Sequence, residues 1–310
     1  MRIVWGNLDR SYGTQPDIRL RLHKYLQLLP LIAASACATF GMASAAEDPF
    51  KGKTLRLVVG YGPGGGYDFY GRVFAEHFPK YLPGQQTVVV QNMPGAGSFV
   101  AAKFLYTAAP KDGTHMGIIS QTFALDAAMT DDTSFDATKL PIVGRLVESV
   151  DVGIGMPGAA FRTFEDARKK QIVVASTGGS SPGYLMPAAL SKFGGAKFKI
   201  ISGYAGSTEA ELALQRGEAE LAASVSLLTV QQKYPAWLKD RAAPILYQSG
   251  LVRSPLLPDV PSLGELGTDT TGTMVLRAIG ASSEFGKSVL TTPDLPKANL
   301  ALLRNSFNTM

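Results

Sequence analysis

The chain has 310 residues, 45% of them hydrophobic, and a single cysteine, Cys37. Its net charge of +5 sits largely at the start: residues 1–45 hold five Arg/Lys and two Asp, leaving 25 basic residues against 23 acidic ones beyond them. So even a balance removes the electrostatic basis for a nucleic-acid partner, and the absence of cysteine after position 45 leaves that stretch neither a disulfide nor a thiolate metal site.

Arg19, Arg21 and Lys24 precede an apolar run from Tyr25 to Met42, followed by Ala43-Ser44-Ala45. A basic flank, an apolar stretch and a small-x-small end form a secretory signal peptide, with cleavage near Ala45 and delivery to the periplasm. The run contains Pro30 and reaches only about 18 residues, short of the ~20 that cross a bilayer. Ala34-Ser35-Ala36 before Cys37 is faintly like a lipoprotein site, but lacks the usual Leu three residues before the cysteine. The remaining stretch of about 265 residues suits two α/β lobes.

Leu55 to Gly60 is a short apolar, β-branched run with no helical period, which predicts a buried parallel strand. A helix follows from about Asp68, with Phe69, Val73 and Phe74 at helical spacing and Pro79 ending the pattern. Thr87–Val90 is the next strand, Asn92–Gly97 a turn, Phe99–Tyr106 a helix and His115–Ser120 a third strand. The alternation predicts a parallel sheet covered by helices. In the middle region, strands are expected over Gln171–Ala175, Phe198–Ser202 and Ala219–Val225. Helices are expected over Tyr184–Phe193 and Thr208–Arg216, the second opened by a capping box of Thr208 and Glu211. Val150–Met156 and Pro244–Gln248 are the expected crossings between lobes. The expected division is thus residues 46–148 with 263–310 as one lobe and 149–262 as the other.

The sharpest local feature is Pro63-Gly64-Gly65-Gly66-Tyr67-Asp68, lying between a buried strand and a helix start. Consecutive glycines leave backbone N–H groups unobstructed, and the helix adds its positive end, so the corner favours an anion. No Gly-Lys-Ser/Thr follows and no glycine has the dinucleotide spacing, so two phosphate-binding readings fail. Asp68 itself reads first as a helix cap, with orientation of the loop or receipt of a ligand amino group as the alternatives. The second lobe offers a matching corner, Ser176-Thr177-Gly178-Gly179-Ser180-Ser181, with Tyr184 placed near it as Tyr67 is near the first. Two facing helix N-termini of this kind form a clamp for one carboxylate. Ser120-Gln121-Thr122, Tyr204-Ala205-Gly206-Ser207 and Ser224-Val225-Ser226 stand at other loop or strand ends, where ligands of open α/β sheets bind.

Gly179-Ser180-Ser181-Pro182-Gly183 also matches the nucleophile elbow of α/β-hydrolases. That elbow needs a histidine later in the chain, yet His23, His77 and His115 all come before Ser181. No His-x-x-x-His or cysteine cluster is present, and Asp131-Asp132 reads as a solvated loop. The reading is a protein with no catalytic residues, no metal and no cofactor.

Several ordered motifs together bring a family into view: LRLVVGYGPGGGYDFYGR (55–72), VVVQNMPGAGS (88–98), APKDGTHMG (109–117), the 176–181 loop, GYAGSTEAELALQRGEAEL (203–221) and RSPLLPDVPSLGELG (253–267). The chain resembles the Bug-type extracytoplasmic receptors of tripartite tricarboxylate transporters. The resemblance implies a periplasmic-binding-protein fold (type II), with two α/β lobes around a ligand cleft. It also implies a carboxylate ligand held largely by backbone amides and waters, and membrane transporter subunits as partners. By motif position the contacts would be Pro63 to Asp68 and Ser120 to Thr122 from one lobe, and Ser176 to Ser181 and Tyr204 to Ser207 from the other. Tyr67 departs from the small hydroxyl residue of many relatives, and Ser224-Val225-Ser226 replaces a common Phe-Asp pair. The chain also stops at Asn308-Thr309-Met310 inside an apparent helix where relatives continue, so a truncated first lobe is expected. The expected function is a monomeric solute receptor. The alternatives are an exported hydrolase using Ser181 and a sensory subunit sharing the fold.

Overall fold

The computed structural model describes residues 48–125 and 135–310. The expected signal peptide, Cys37, His23 and Asp131-Asp132 therefore lie outside the described residues. Pro49–Met310 forms one compact unit.

Two five-stranded sheets organise it. The first runs in the order β2-β1-β3-β10-β4, from Val88–Asn92 (β2), Leu55–Val59 (β1), His115–Ile118 (β3), Lys287–Thr291 (β10) and Ile142–Val147 (β4). The second runs β7-β6-β8-β5-β9, from Phe198–Ser202 (β7), Ile172–Ser176 (β6), Leu221–Ser226 (β8), Asp151–Gly155 (β5) and Ile245–Gln248 (β9). The parallel sheet expected from the alternating pattern is corrected to a mixed one, and the second sheet is mixed as well. β10 runs antiparallel to β3 and β4, and β5 antiparallel to β8 and β9. In each sheet one strand arrives from the far side of the molecule and enters against the direction of its neighbours.

Helices cover both faces of both sheets, which is why the strands read as apolar runs rather than alternating ones. On the first sheet, α1 (Gly66–His77) buries Phe74 with Leu57, Val59 and Ile118, while α2 (Phe99–Thr107) buries Ala101, Ala102 and Leu105 against Val58 and Ile119 on the other face. α3 (Phe164–Lys169) and α4 (Pro182–Phe193) pack one face of the second sheet around Val174 and Tyr247. α5 (Ser207–Gln215) and α6 (Leu227–Lys233) pack the other around Ala175 and Val225, and the short α7 (Pro235–Lys239) follows.

The last helices divide between the sheets. α8 (Thr270–Phe285) lies against α4, and its Leu276 and Ile279 join the core of the second sheet. α9 (Lys297–Thr309) returns to the first sheet, placing Leu303 with Leu57 and Phe74. Of the stretch 263–310 expected to rejoin the first lobe, α8 therefore packs with the second sheet, while β10 and α9 lie with the first.

Both expected crossings are corrected. The chain passes from β4 to β5 over residues 148–150, so most of Val150–Met156 is strand β5 of the second sheet, and Ile245–Gln248 is strand β9, wholly buried beside it. The return runs through Gly286, between α8 and β10. Gly286 has φ +55° and ψ −140°, and a Cβ there would stand 2.1 Å from the Val147 carbonyl oxygen, so a side chain is excluded by both torsion and space. The two crossings thus run side by side, with Ser149 N–H donating to the Ser283 carbonyl at 3.2 Å. Gly286→Ala is expected to cost about 2–4 kcal/mol through strain and overpacking, measured as a lower urea midpoint at unchanged m-value.

Candidate functional site

The glycine-rich corner after β1 is held by Asp68, which sits inside α1 as its third residue and is not the cap expected from sequence; Gly65 occupies the N-cap position. The helix begins two residues earlier than its apolar spacing indicated, so the carboxylate reaches back over the first turn instead of opening it. Asp68 Oδ2 accepts from Gly64 N–H at 2.9 Å and from Arg72 Nε at 2.9 Å. Oδ1 accepts from Arg72 at 3.0 Å and from Asn92 Nδ2 at 2.8 Å, and Asn92 also donates to the Tyr61 carbonyl. This is the loop-orienting role weighed as an alternative for Asp68.

The matching corner after β6 is built similarly. Ser181 is the N-cap of α4, and its hydroxyl donates to the Gly178 carbonyl at 2.7 Å. The third corner, before α5, is corrected in detail: the helix starts at Ser207 with Gly206 as N-cap, so Thr208 falls inside the first turn. The expected Thr208–Glu211 capping box does not form. Glu209 instead accepts from Ala205 N–H at 2.7 Å, and Glu211 accepts from the Tyr234 hydroxyl at 3.1 Å.

These corners meet at one cavity of about 50 Å³. Its lining includes Gly65, Gly66 and Tyr67 from the start of α1, Ser176, Thr177, Pro182 and Gly183 around the start of α4, and Ser207 from the start of α5. Three helix N-termini, each with first-turn N–H groups that have no partner within their own helix, therefore converge on one space. The Ser176 hydroxyl is buried there and has no hydrogen-bond partner.

Other expected residues lie outside the cavity lining and draw the two halves together. Thr122 Oγ1 donates to the Ser180 carbonyl at 2.8 Å, and Ser120 Oγ lies 2.7 Å from Thr122 Oγ1. Gly62 N–H donates to the Ala205 carbonyl at 2.9 Å. Gly97, at φ +67°, lies so close to the second corner that a Cβ would stand 2.4 Å from Ser181 N, and a Cβ on Gly178 would stand 2.7 Å from Gly97 N. Pro63, Gly64 and Gly179 are exposed. Gln121 is buried, with its side-chain amide unpartnered and its backbone N–H donating to the Tyr67 hydroxyl oxygen at 3.0 Å.

Two tyrosine expectations are corrected. Tyr184 is 36% exposed on α4 and is not part of the cavity lining, because the helix turns it outward. Tyr204 leans onto the second sheet's core and directs its hydroxyl to Glu218 at 3.4 Å. Neither described histidine is bonded to Ser181: His77 Nδ1 accepts from Lys80 Nζ, and His115 Nδ1 contacts Thr114 Oγ1.

The cavity's charges were not legible in the sequence. Lys287, the first residue of β10, is 1% exposed, and Asp151, the first of β5, is 4% exposed; both line the cavity. Lys287 Nζ donates to Ser149 Oγ at 2.5 Å, Ser149 Oγ donates to Asp151 Oδ1 at 2.9 Å, and Ser224 Oγ donates to Asp151 Oδ2 at 2.5 Å. Burial lowers the Lys287 ammonium below the usual lysine value, opposed by the charge of Asp151. The ammonium also lies 5.0 Å from the ring centre of Tyr67 and 5.6 Å from that of Tyr70, over their electron-rich faces. The sequence signal was a lysine opening a short β-prone run, KSVLT, all five residues of which are buried.

Burial by itself would raise the Asp68 carboxyl, but Arg72, the Gly64 N–H and Asn92 outweigh it and hold it below the usual carboxylate range. A carboxyl with a depressed folded value stabilises the fold fully above its unfolded value, and that contribution is lost as pH falls through the folded one. Asp68→Asn is expected to lower stability by about 1.5–3 kcal/mol at neutral pH and to flatten the acid limb of a urea-denaturation series below pH 4.

The same architecture occurs in known proteins. The family model described as tripartite tricarboxylate transporter family receptor matches residues 71–292. A UPF0065 protein from the gbd 5′ region of Cupriavidus necator is 28% identical over 249 residues, covering 76% of this chain and 72% of that protein. Among solved structures, malate-bound MatC from Rhodopseudomonas palustris superposes with a TM-score of 0.66 at 18% identity, covering 83% of each chain. The periplasmic binding protein BugD gives 0.64 at 20% identity, covering 82% of this chain and 81% of its own. The structural likenesses establish a periplasmic-binding-protein fold. With the family model spanning most of the length, the chain belongs to the receptors of the tripartite tricarboxylate transporter family, which are solute-binding proteins and not enzymes.

Proposed function

We propose that this chain is an exported receptor that captures a small carboxylate between its two sheets and delivers it to the membrane subunits of a tripartite transporter. It works as a monomer in the periplasm, reached through the signal peptide read at residues 1–45. The ligand contacts are drawn from the corners 63–68, 120–122, 176–181 and 204–207, with Gly65, Gly66, Tyr67, Ser176, Thr177 and Ser207 lining the cavity itself and Asp68 holding its loop from outside it. The lobes correspond to the two sheets, with the boundary near residue 149 on the way out and at Gly286 on the return.

The observation that carries this reading is the convergence of three helix N-termini on one cavity that also holds a lysine ammonium and an unpartnered buried serine hydroxyl. Aligned N–H groups and a cation together favour a carboxylate over a neutral solute. The malate held by MatC, on the same fold, is a ligand of that chemical class. Among the described residues the bonds between these loops, such as Thr122 to Ser180 and Gly62 to Ala205, are neutral, each contributing about 1 kcal/mol, so opening for ligand entry costs little. A cavity of about 50 Å³ holds only a few waters, so a ligand of several heavy atoms enters with these loops apart and closes them afterwards.

Calorimetric titration and thermal-shift assays against a panel of mono-, di- and tricarboxylates test the reading. At least one is expected to bind and raise the melting temperature; no binding and no shift from any of them defeats it. Gly65 faces Ser207 across the cleft, with a Cβ there 3.0 Å from the Ser207 hydroxyl. Gly65→Val is therefore expected to weaken binding about tenfold or more with little loss of stability; unchanged affinity would make the loop a turn and nothing more.

A further inference from the structure

The closed cavity contains one buried cation and one buried anion, Lys287 and Asp151, separated by the single hydroxyl of Ser149. They come from different sheets, β10 and β5, and meet beside the two crossings. We infer that the site selects an amine-bearing carboxylate, an amino acid in its zwitterionic form, with the ligand carboxylate on Lys287 and the helix N-termini and the ligand ammonium on Asp151. This rests on the receptor reading above and narrows its ligand class.

The argument is one of charge balance in a space largely shut off from water. Each buried charge loses solvation that only close opposite charge and hydrogen bonds restore. Lys287 and Asp151 already balance each other, so a plain carboxylate adds a negative charge beside the Asp151 carboxylate, and a dicarboxylate adds two. A zwitterion adds none and brings one opposite charge to each side. Asp151 is a prepared acceptor: two serine hydroxyls and its own backbone N–H, bonded to Ser249 Oγ at 2.8 Å, fix the carboxylate in place. With one serine on each of its oxygens, it keeps acceptor capacity on both. Lys287 donates to one serine oxygen, which leaves N–H groups to receive a ligand carboxylate. The two charges stand on either side of one hydroxyl, so a ligand carrying its ammonium and carboxylate close together can reach both.

The test begins with a thermal-shift screen of the purified protein against the protein amino acids, with the hydroxy acid and the deaminated acid of each skeleton, for example aspartate, malate and succinate. Calorimetry then compares the members of each set that binds. The amine-bearing member is expected to bind about tenfold or more tighter than its deaminated counterpart. In Asp151→Asn that preference is expected to vanish while the deaminated acid binds as well or better. Equal or tighter binding of the deaminated acid to the unaltered protein overturns the inference and leaves the receptor reading standing. Binding of nothing in the screen defeats both. Because the unaltered protein decides the ligand class, the test survives even if Asp151→Asn does not fold.

Discussion

The hydrogen-bonded chain Lys287–Ser149–Asp151–Ser224 joins the two sheets beside the crossings, and Lys287, Asp151 and Ser224 line the cavity. As a source of stability such a chain is weak, because removing two charges from water costs about as much as their attraction returns. Its value lies in position. Lys287 opens β10 immediately after the return crossing, and Asp151 opens β5 immediately after the outward one, so any change in the angle between the sheets alters the spacing of the two charges. A ligand that bonds to both favours one angle over others, and this is how binding energy can be converted into closure.

The rest of the cavity is built to let backbone approach the same point. Corners after β1 and β6, and a third before α5, bring helix starts inward, and small residues at those starts keep Cβ atoms out of the gap. Asp68 illustrates the division of labour: it stands beneath the first corner, out of the cavity lining, and uses its carboxylate to hold Gly64, Arg72 and Asn92 in register. Tyr67 has its hydroxyl oxygen taken by Gln121 N–H and contributes its ring face to Lys287. A tyrosine at this position and a lysine on β10 therefore support each other.

Much of this architecture was legible in the sequence because it is local. A buried strand running into a glycine- or serine-rich loop and then a helix is written in consecutive residues, so the corners at 63–68, 176–181 and 204–207 were read in place, as were β7 and the body of α2. Errors arose where a short-range pattern admitted a second solution. Thr208 and Glu211 have the spacing of a capping box, but the helix begins one residue earlier, and Glu209 and the distant Tyr234 take over the bonding. Ile245–Gln248 has the apolar brevity of a crossing strand, and only its pairing with β5 shows that it stays within the second sheet.

What the sequence determined by itself was the alternation of strands and helices and the glycine corners; both depend on residues near one another in the chain. Tertiary structure alone decided the reversed directions of β5 and β10, the packing of α8 on the second sheet and the meeting of Lys287 with Asp151. Those two residues are separated by more than a hundred positions, and nothing around either marks it as charged for a purpose. A buried charge acquires meaning only from its partner, and the partner is assigned by the path of the chain through Gly286 back into the first sheet.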